Sequence, residues 1–346
     1  MYSALRRLLF LLEAEQGHDL VMTTLALASR SKSMSSLCGL LGGGKPPPCP
    51  VEVMGIPFPN PVGLAAGLDK HARAANALGA MGFGWVELGT VTPRPQPGNP
   101  RPRMFRIPEH EAIINRMGFN SVGLEMFLKH CKGTAPHLLK GINIGKNAAT
   151  PLSGAVDDYL TCLEAVYPYA DYIAINISSP NTPGLRGLHQ DEALNRLLSR
   201  LNHQRRELAD FHGTRVPLVL KIAPDIDTGE VDAIASLLRQ HEMDGVAATN
   251  TTVSRNQVES HFLSGEPGGL SGPPLREKST AVVAALYRNL QDEIPIIGIG
   301  GINTAADAME KFSAGAKLVQ LYTGFVYHGP GLIREICREL SSGQKP

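Results

Sequence analysis

The sequence predicts an α/β fold, a (β/α)8 TIM barrel with a small helical extension at its N-terminus. Three observations predict it. Eight short apolar, β-branched runs follow one another from residue 55 onward. Amphipathic segments fill seven of the intervals, and "GPGLIREICREL" follows the last run. Nearly every run ends in an amide, hydroxyl or ammonium group, the chemistry a barrel gathers at the C-terminal ends of its strands.

The extension comes first. "YSALRRLLFLLEAEQ" sets Leu5, Leu8, Leu9 and Leu12 on one helical face, with Arg6 and Arg7 away from its centre. "HDLVMTTLALASR" repeats the pattern with Leu20, Val21, Thr24, Leu25 and Ala28. "SKSMSSLCGLLGGGKPPPCP" is rich in Gly and Pro and reads as a connector that cannot continue a helix. The expectation is two short helices and a linker over residues 1–44, followed by a barrel over 45–346.

The eight runs are "PVGLAAG" (61–67), "WVELGTV" (85–91), "LLKGINIG" (138–145), "DYIAINIS" (171–178), "PLVLKIA" (217–223), "DGVAATN" (244–250), "IPIIGIGG" (294–301) and "AKLVQLYT" (316–323). Near-continuous apolar strands alternating with helices indicate a parallel sheet buried on both faces. An open doubly wound sheet would use fewer strands and a G-x-G-x-x-G turn, which "AAGLDK" lacks. Two intervals, 92–121 and 251–274, exceed ordinary connections and read as lids or binding loops.

The strand ends carry the chemistry. They are Gly67 and Lys70, Thr90, Asn143 with Lys146, Asn176 with Ser178, Ser179 and Asn181, Lys221, Thr249 with Asn250, Gly300 with Gly301, and Tyr322 with Thr323. Polar groups ending so many buried strands are costly unless a ligand pairs with them. Three lysines and no acidic pair suit an electron-rich anion. "GIGGI" on the seventh strand and "YTG" on the eighth sit where many barrels bind phosphate. A phosphate-bearing cofactor such as FMN fits, with Lys221 and the amides placed to tune its ring.

Composition narrows the classes. The 346 residues are 43% hydrophobic and 19% charged, with net charge +1, so no broad field draws nucleic acid. Five cysteines without a C-x-x-C pair argue against zinc, iron–sulfur or disulfide frameworks and for a reducing compartment. No carboxylate–histidine group has metal spacing. No apolar run approaches the roughly 20 residues of a membrane-spanning helix, which leaves attachment to a membrane surface open. Read singly, the N-terminal leucines and His18 are ordinary packing residues. A buried Lys221 needs a partner.

Taken together, "GLAAGLDK", "ELGTVTPRPQPGNPRPRMFR", "INRMGFNS", "NIGKN", "NISSPNTPGLR", "LKIAPD", "ATNTT", "GGLSGPPL" and "IGIGGI" resemble dihydroorotate dehydrogenase, in its quinone-dependent, membrane-associated class. The resemblance covers nearly the whole chain. It implies oxidation of (S)-dihydroorotate to orotate in pyrimidine biosynthesis, with FMN on the barrel and a membrane quinone as final electron acceptor. It implies that Ala66, Gly67, Lys70, Thr90, Asn143, Asn176, Lys221, Thr249, Gly272, Gly301, Tyr322 and Thr323 hold FMN. Lys70, Asn115, Arg116, Met117, Gly118, Phe119, Asn176, Asn181, Asn250 and Thr251 would hold the substrate. Ser179 would be the catalytic base, where the soluble relatives use cysteine. A serine is a poor base at neutral pH, so its proton must pass on, through Thr182 or water. Pro180 and Pro183 would limit its movement.

The resemblance also gives the N-terminal helices a role. They would form an apolar tunnel for the quinone, with His18 and Arg106 at its inner end near Tyr322, and would rest on a membrane. The expected location is the cytoplasmic side of the bacterial inner membrane, as a peripheral protein and a monomer. Two other classes compete. One is a different FMN barrel reducing uracil-like rings, which would not need Lys70 or the Asn115 loop. The other is a non-catalytic ligand-binding barrel.

Overall fold

The computed structural model describes residues 2–182, Leu185 and 191–343. Pro183, Gly184 and Arg186 of "NISSPNTPGLR" lie outside them. The chain opens with three helices, α1 (Tyr2–Leu9), α2 (Ala14–Ala28) and α3 (Lys32–Leu41). This corrects the expected two helices and linker. Where the first helix ends, the Arg106 guanidinium donates to the carbonyls of Leu9 and Leu12. The third forms because Ser31 caps it through Met34 N and the helix-breaking residues begin only at Gly42.

The helices are fastened to the body at separate points. Tyr2 Oη donates to Val326 O at 2.7 Å and Arg6 to Tyr327 O at 2.7 Å. Glu15 of α2 accepts from Arg103 at 2.8 Å, both side chains being buried. Gly39 lets α3 approach the next helix: a Cβ there would lie 2.4 Å from Ala80 O. Among the described residues, no helix is long and apolar enough to cross a membrane.

A hairpin of β1 (Val51–Val53) and β2 (Ile56–Phe58) follows. Its Val53, Ile56 and Phe58 pack against Trp85, Tyr172, Val219 and Ile297 near the beginnings of the barrel strands. The Phe58 and Trp85 rings meet edge-on, with centroids 4.8 Å apart. The hairpin therefore floors the barrel.

Next come β3 (Val62–Leu64), α4 (Ala75–Ala80) and β4 (Trp85–Val91), then a hairpin of β5 (Met104–Ile107) and β6 (Ala112–Asn115). After it run α5 (Gly123–Cys131), β7 (Lys140–Ile144), α6 (Ala155–Val166), β8 (Tyr172–Asn176), α7 (Asp191–His212), β9 (Leu218–Ile222), α8 (Thr228–Gln240) and β10 (Gly245–Ala248). The chain ends with β11 (Gly269–Ser271), α9 (Arg276–Leu290), β12 (Ile296–Ile299), α10 (Ala305–Ser313), β13 (Ala316–Leu321), α11 (Thr323–His328) and α12 (Gly331–Ser341).

Eight of these strands close a parallel barrel in chain order, β3-β4-β7-β8-β9-β10-β12-β13, with β13 returning to β3. All eight expected runs become its strands, each trimmed at one or both ends or kept whole. Every residue of β4, β8 and β9 is buried, which explains why these runs lack an in–out alternation.

The two long intervals meet. β5, β6 and β11 form one antiparallel sheet, although β11 lies some 155 residues from β6 in sequence. Ile107, Ala112, Ile114, Val258 and Leu270 form a small apolar core between the two insertions. Arg116 bridges them again through Glu266 at 2.6 Å.

Candidate active site

One pocket opens at the C-terminal ends of the barrel strands, beneath the three-stranded sheet. β3 runs into Ala66, Gly67 and Lys70, and β4 contributes Thr90. β8 ends in Asn176 and leads to Ser179 and Asn181; β9 contributes Lys221; β10 leads to Thr249, Asn250 and Thr251. β12 leads to Gly300 and Gly301, and β13 to Tyr322 and Thr323. The roof adds Asn115, Met117, Gly118 and Phe119 from one insertion and Ser271 and Gly272 from the other. The expected site residues are thus largely brought together. Four are not on the pocket wall. Asn143 lies just beneath it. Arg116 lies beside the roof, in its pair with Glu266 and 4.6 Å from the Phe105 ring centroid. His18 and Arg106 lie at the N-terminal helices.

A hydrogen-bonded layer underlies the pocket. Asn143, on the neighbouring strand to Thr90, accepts its hydroxyl at 2.6 Å. Asn176 Nδ2 donates to Thr90 and to Asn143 Oδ1, both at 3.2 Å. Asn143 Nδ2 donates to Glu87 at 2.8 Å, and Lys221 Nζ pairs with the same carboxylate at 3.4 Å. Glu87 is thus the partner that Lys221 needed, and sequence reasoning missed it. Its signal was an acid inside the apolar run "WVELGTV", which says nothing about which strand it faces. Gln320 was missed too. Its Nε2 donates to Glu87 at 2.6 Å, while its Oε1, on a side chain lining the pocket, has no hydrogen-bond partner.

The loop after β8 is tied down from several sides. Tyr159 Oη donates to Asn176 O at 2.7 Å. Asn181 N donates to Ser179 Oγ at 3.3 Å, and Asn99 Nδ2 holds Asn181 O at 3.2 Å. Asn181 Nδ2 reaches Asn115 Oδ1 of the roof at 3.4 Å. Asn250 Nδ2 donates to Ser178 Oγ at 3.0 Å. Ser179 itself is buried, and the buried Thr182 hydroxyl in the same loop has no hydrogen-bond partner.

The two charged side chains on the pocket wall are Lys70 and Lys221. Burial, with Arg103 nearby, pulls the Lys70 ammonium down to about 8, against the opposing pull of Glu15, Asp19 and Asp69. Burial, then Lys70 and His71, hold His18 down at about 3, so its imidazole is neutral at physiological pH. Burial pushes the Tyr322 phenol up to about 12. Arg106 stacks over the Phe10 ring, 4.4 Å from its centroid. A bridge of apolar side chains, Phe10, Ala14, Met104, Met117, Tyr322 and Val326, runs from the N-terminal helices to the pocket wall.

This architecture has parallels among known proteins. The family model described as dihydroorotate dehydrogenase matches residues 49–343. A Methylobacillus flagellatus protein named dihydroorotate dehydrogenase (quinone) is 53% identical over 342 residues, covering 98% of this chain and 99% of its own. A Cellvibrio japonicus protein of the same name is 54% identical over 342 residues, covering 99% and 98%. A crystal structure of DHODH from Eimeria tenella, in complex with ferulenol, matches with a TM-score of 0.84 at 37% identity, covering 94% of this chain and 90% of that one. With the family matched over most of its length and relatives this similar end to end, the chain belongs to the dihydroorotate dehydrogenase family of enzymes.

Proposed function

We propose that this chain oxidises (S)-dihydroorotate to orotate in UMP biosynthesis, with FMN as its cofactor and a membrane quinone as the final electron acceptor. The observation that carries the reading is the convergence of Ser179, Lys70, Asn115, Asn181 and Asn250 in one pocket. A flat ring with amide edges and a carboxylate matches that set. Asparagines both donate and accept along amide edges, and an ammonium pairs with a carboxylate.

The residues fit a flavin mononucleotide. Gly300 and Gly301 line the pocket without side chains, so their backbone can come close to a phosphate. Gln320 lines the pocket, and its Oε1 has no hydrogen-bond partner within the protein. In this reading Ala66, Gly67, Lys70, Thr90, Asn143, Asn176, Lys221, Thr249, Gly272, Gly301, Tyr322 and Thr323 hold FMN. When bound, FMN supplies the two-electron acceptor that no side chain provides.

The protein's own residues do the rest. Asn115, Asn181 and Asn250 orient the ring, with Arg116, Met117, Gly118, Phe119 and Thr251 completing the roof. Ser179 Oγ takes the C5 proton, and the Thr182 hydroxyl, which has no hydrogen-bond partner among the described residues, is placed in the same loop to pass it on. The roof sheet excludes water from the site.

Residues 1–44 act in this reading as a quinone-access segment on a barrel of residues 45–346, with His18 and Arg106 at the tunnel's inner end. Leu8, Leu11 and Leu40 are 66%, 82% and 71% exposed, which supports attachment to a membrane surface. The reading takes that surface to be the cytoplasmic face of the inner membrane and the protein to be a peripheral monomer. The test is spectral. The purified chain is expected to be yellow, to be bleached by dihydroorotate without oxygen, and to regain its colour with a quinone. A colourless preparation that takes up no FMN, or a yellow one that dihydroorotate does not bleach, overturns the reading.

A further inference from the structure

We propose that Glu87 is a positioning residue that sets the electron affinity of the bound flavin by countering the charge of Lys221. The inference rests on the flavin reading above. Glu87 is wholly buried in β4 and does not itself line the pocket. Its Oε1 accepts from Asn143 Nδ2 at 2.8 Å and from Lys221 Nζ at 3.4 Å. Its Oε2 accepts from Tyr172 Oη and from Gln320 Nε2, each at 2.6 Å. Lys221 and Gln320 both line the pocket. Asn143 passes the contact on to Thr90 and Asn176, which line it too. One carboxylate therefore holds three of the side chains that form or support the pocket floor.

Packing does not call for an acid here. Barrel interiors are filled by branched apolar residues, and a lone buried carboxylate is heavily penalised. Burial alone would raise Glu87's pKa. The Lys221 charge and the hydrogen bonds from Tyr172, Gln320 and Asn143 together outweigh this and hold it below the ordinary carboxylate value. The group stays ionised, so the floor presents Lys221 as half of a neutral pair. Field strength in such a water-poor interior is high. A flavin that accepts electrons gains negative charge. Removing the Glu87 charge leaves the Lys221 ammonium uncompensated on the pocket wall, which favours the reduced flavin.

The experiment uses the full-length, FMN-loaded protein. The midpoint potential of the flavin is read from its absorbance during reductive titration, alongside FMN affinity by fluorescence quenching and the thermal midpoint. Glu87→Gln keeps the shape and removes the charge, and its potential is expected to shift positive. Glu87→Asp keeps the charge but draws it back from Lys221, and its shift is expected to be positive and smaller. If Glu87→Gln does not fold, the Asp variant carries the test. Tyr172→Phe loosens the same network without removing a charge, and its potential is expected to stay near the parent's. An unchanged or negative shift in the Glu87 variants, or a Tyr172→Phe shift as large as theirs, overturns the inference. A parent protein that binds no FMN overturns the flavin reading instead, and the two failures are read from different samples.

Discussion

At the scale of single residues, the proposed reaction depends on two protons. Ser179→Ala removes the group proposed to take one of them. Stopped-flow flavin reduction by dihydroorotate should then slow by about 100-fold or more, with FMN still bound. Unchanged reduction would remove Ser179 from the role. The second proton sits on Lys70, whose pKa of about 8 leaves it charged below that pH and neutral above it. A carboxylate substrate needs the charged form. kcat/KM for dihydroorotate should therefore fall as the pH rises through about 8, while Lys70→Arg, which keeps its charge, should stay flat across that range. Lys70 and Ser179 were both legible from their positions at strand ends. Glu87 and Gln320 were not. They project into the barrel interior, and a residue-by-residue reading carries no information on which interior side chains meet across strands 85 and 233 residues away.

Elements were legible in proportion to their length and periodicity. The barrel strands announced themselves as apolar runs between turns. α3 did not, because its "KSMSSLCGLL" was read together with the Gly- and Pro-rich residues after it. The break between α1 and α2 is held by Arg106, about 95 residues away, a contact the local sequence does not reveal. Two expected outcomes belong to these helices. Deleting residues 1–44 should leave reduction of a soluble dye by dihydroorotate and abolish reduction of a long-chain quinone; persisting quinone turnover would refute the tunnel. The Glu15–Arg103 pair fastens α2, and breaking such a buried pair costs about 3 kcal/mol. Burial opposes ionisation of Glu15, but Arg103 and Arg101 outweigh it and hold its pKa below the ordinary value. Its contribution is thus fully present above the ordinary carboxylate pKa and is lost as the pH falls through the lower, folded one. Glu15→Gln should speed hydrogen exchange of α2 amides at neutral pH while the barrel amides stay protected.

On the scale of the whole molecule, the closed barrel brings seven of its eight strand ends to one pocket, so a ligand there touches segments spread from residue 65 to residue 324. Binding should stabilise the fold as a unit: FMN at 100 times its Kd adds about 2.7 kcal/mol, read as a rise in the thermal midpoint of the apoprotein. Barrel topology was legible because parallel neighbours in sequence are neighbours in space. The roof was not, since β11 and β6 are strands of three and four residues whose pairing spans roughly half the chain. That pairing has a mechanical consequence. Both excursions over the pocket are woven into one sheet with its own apolar core, so neither can lift without the other. Any opening of this roof to admit a substrate is then expected to move both excursions together, and an insertion in one is expected to disturb the seating of the other.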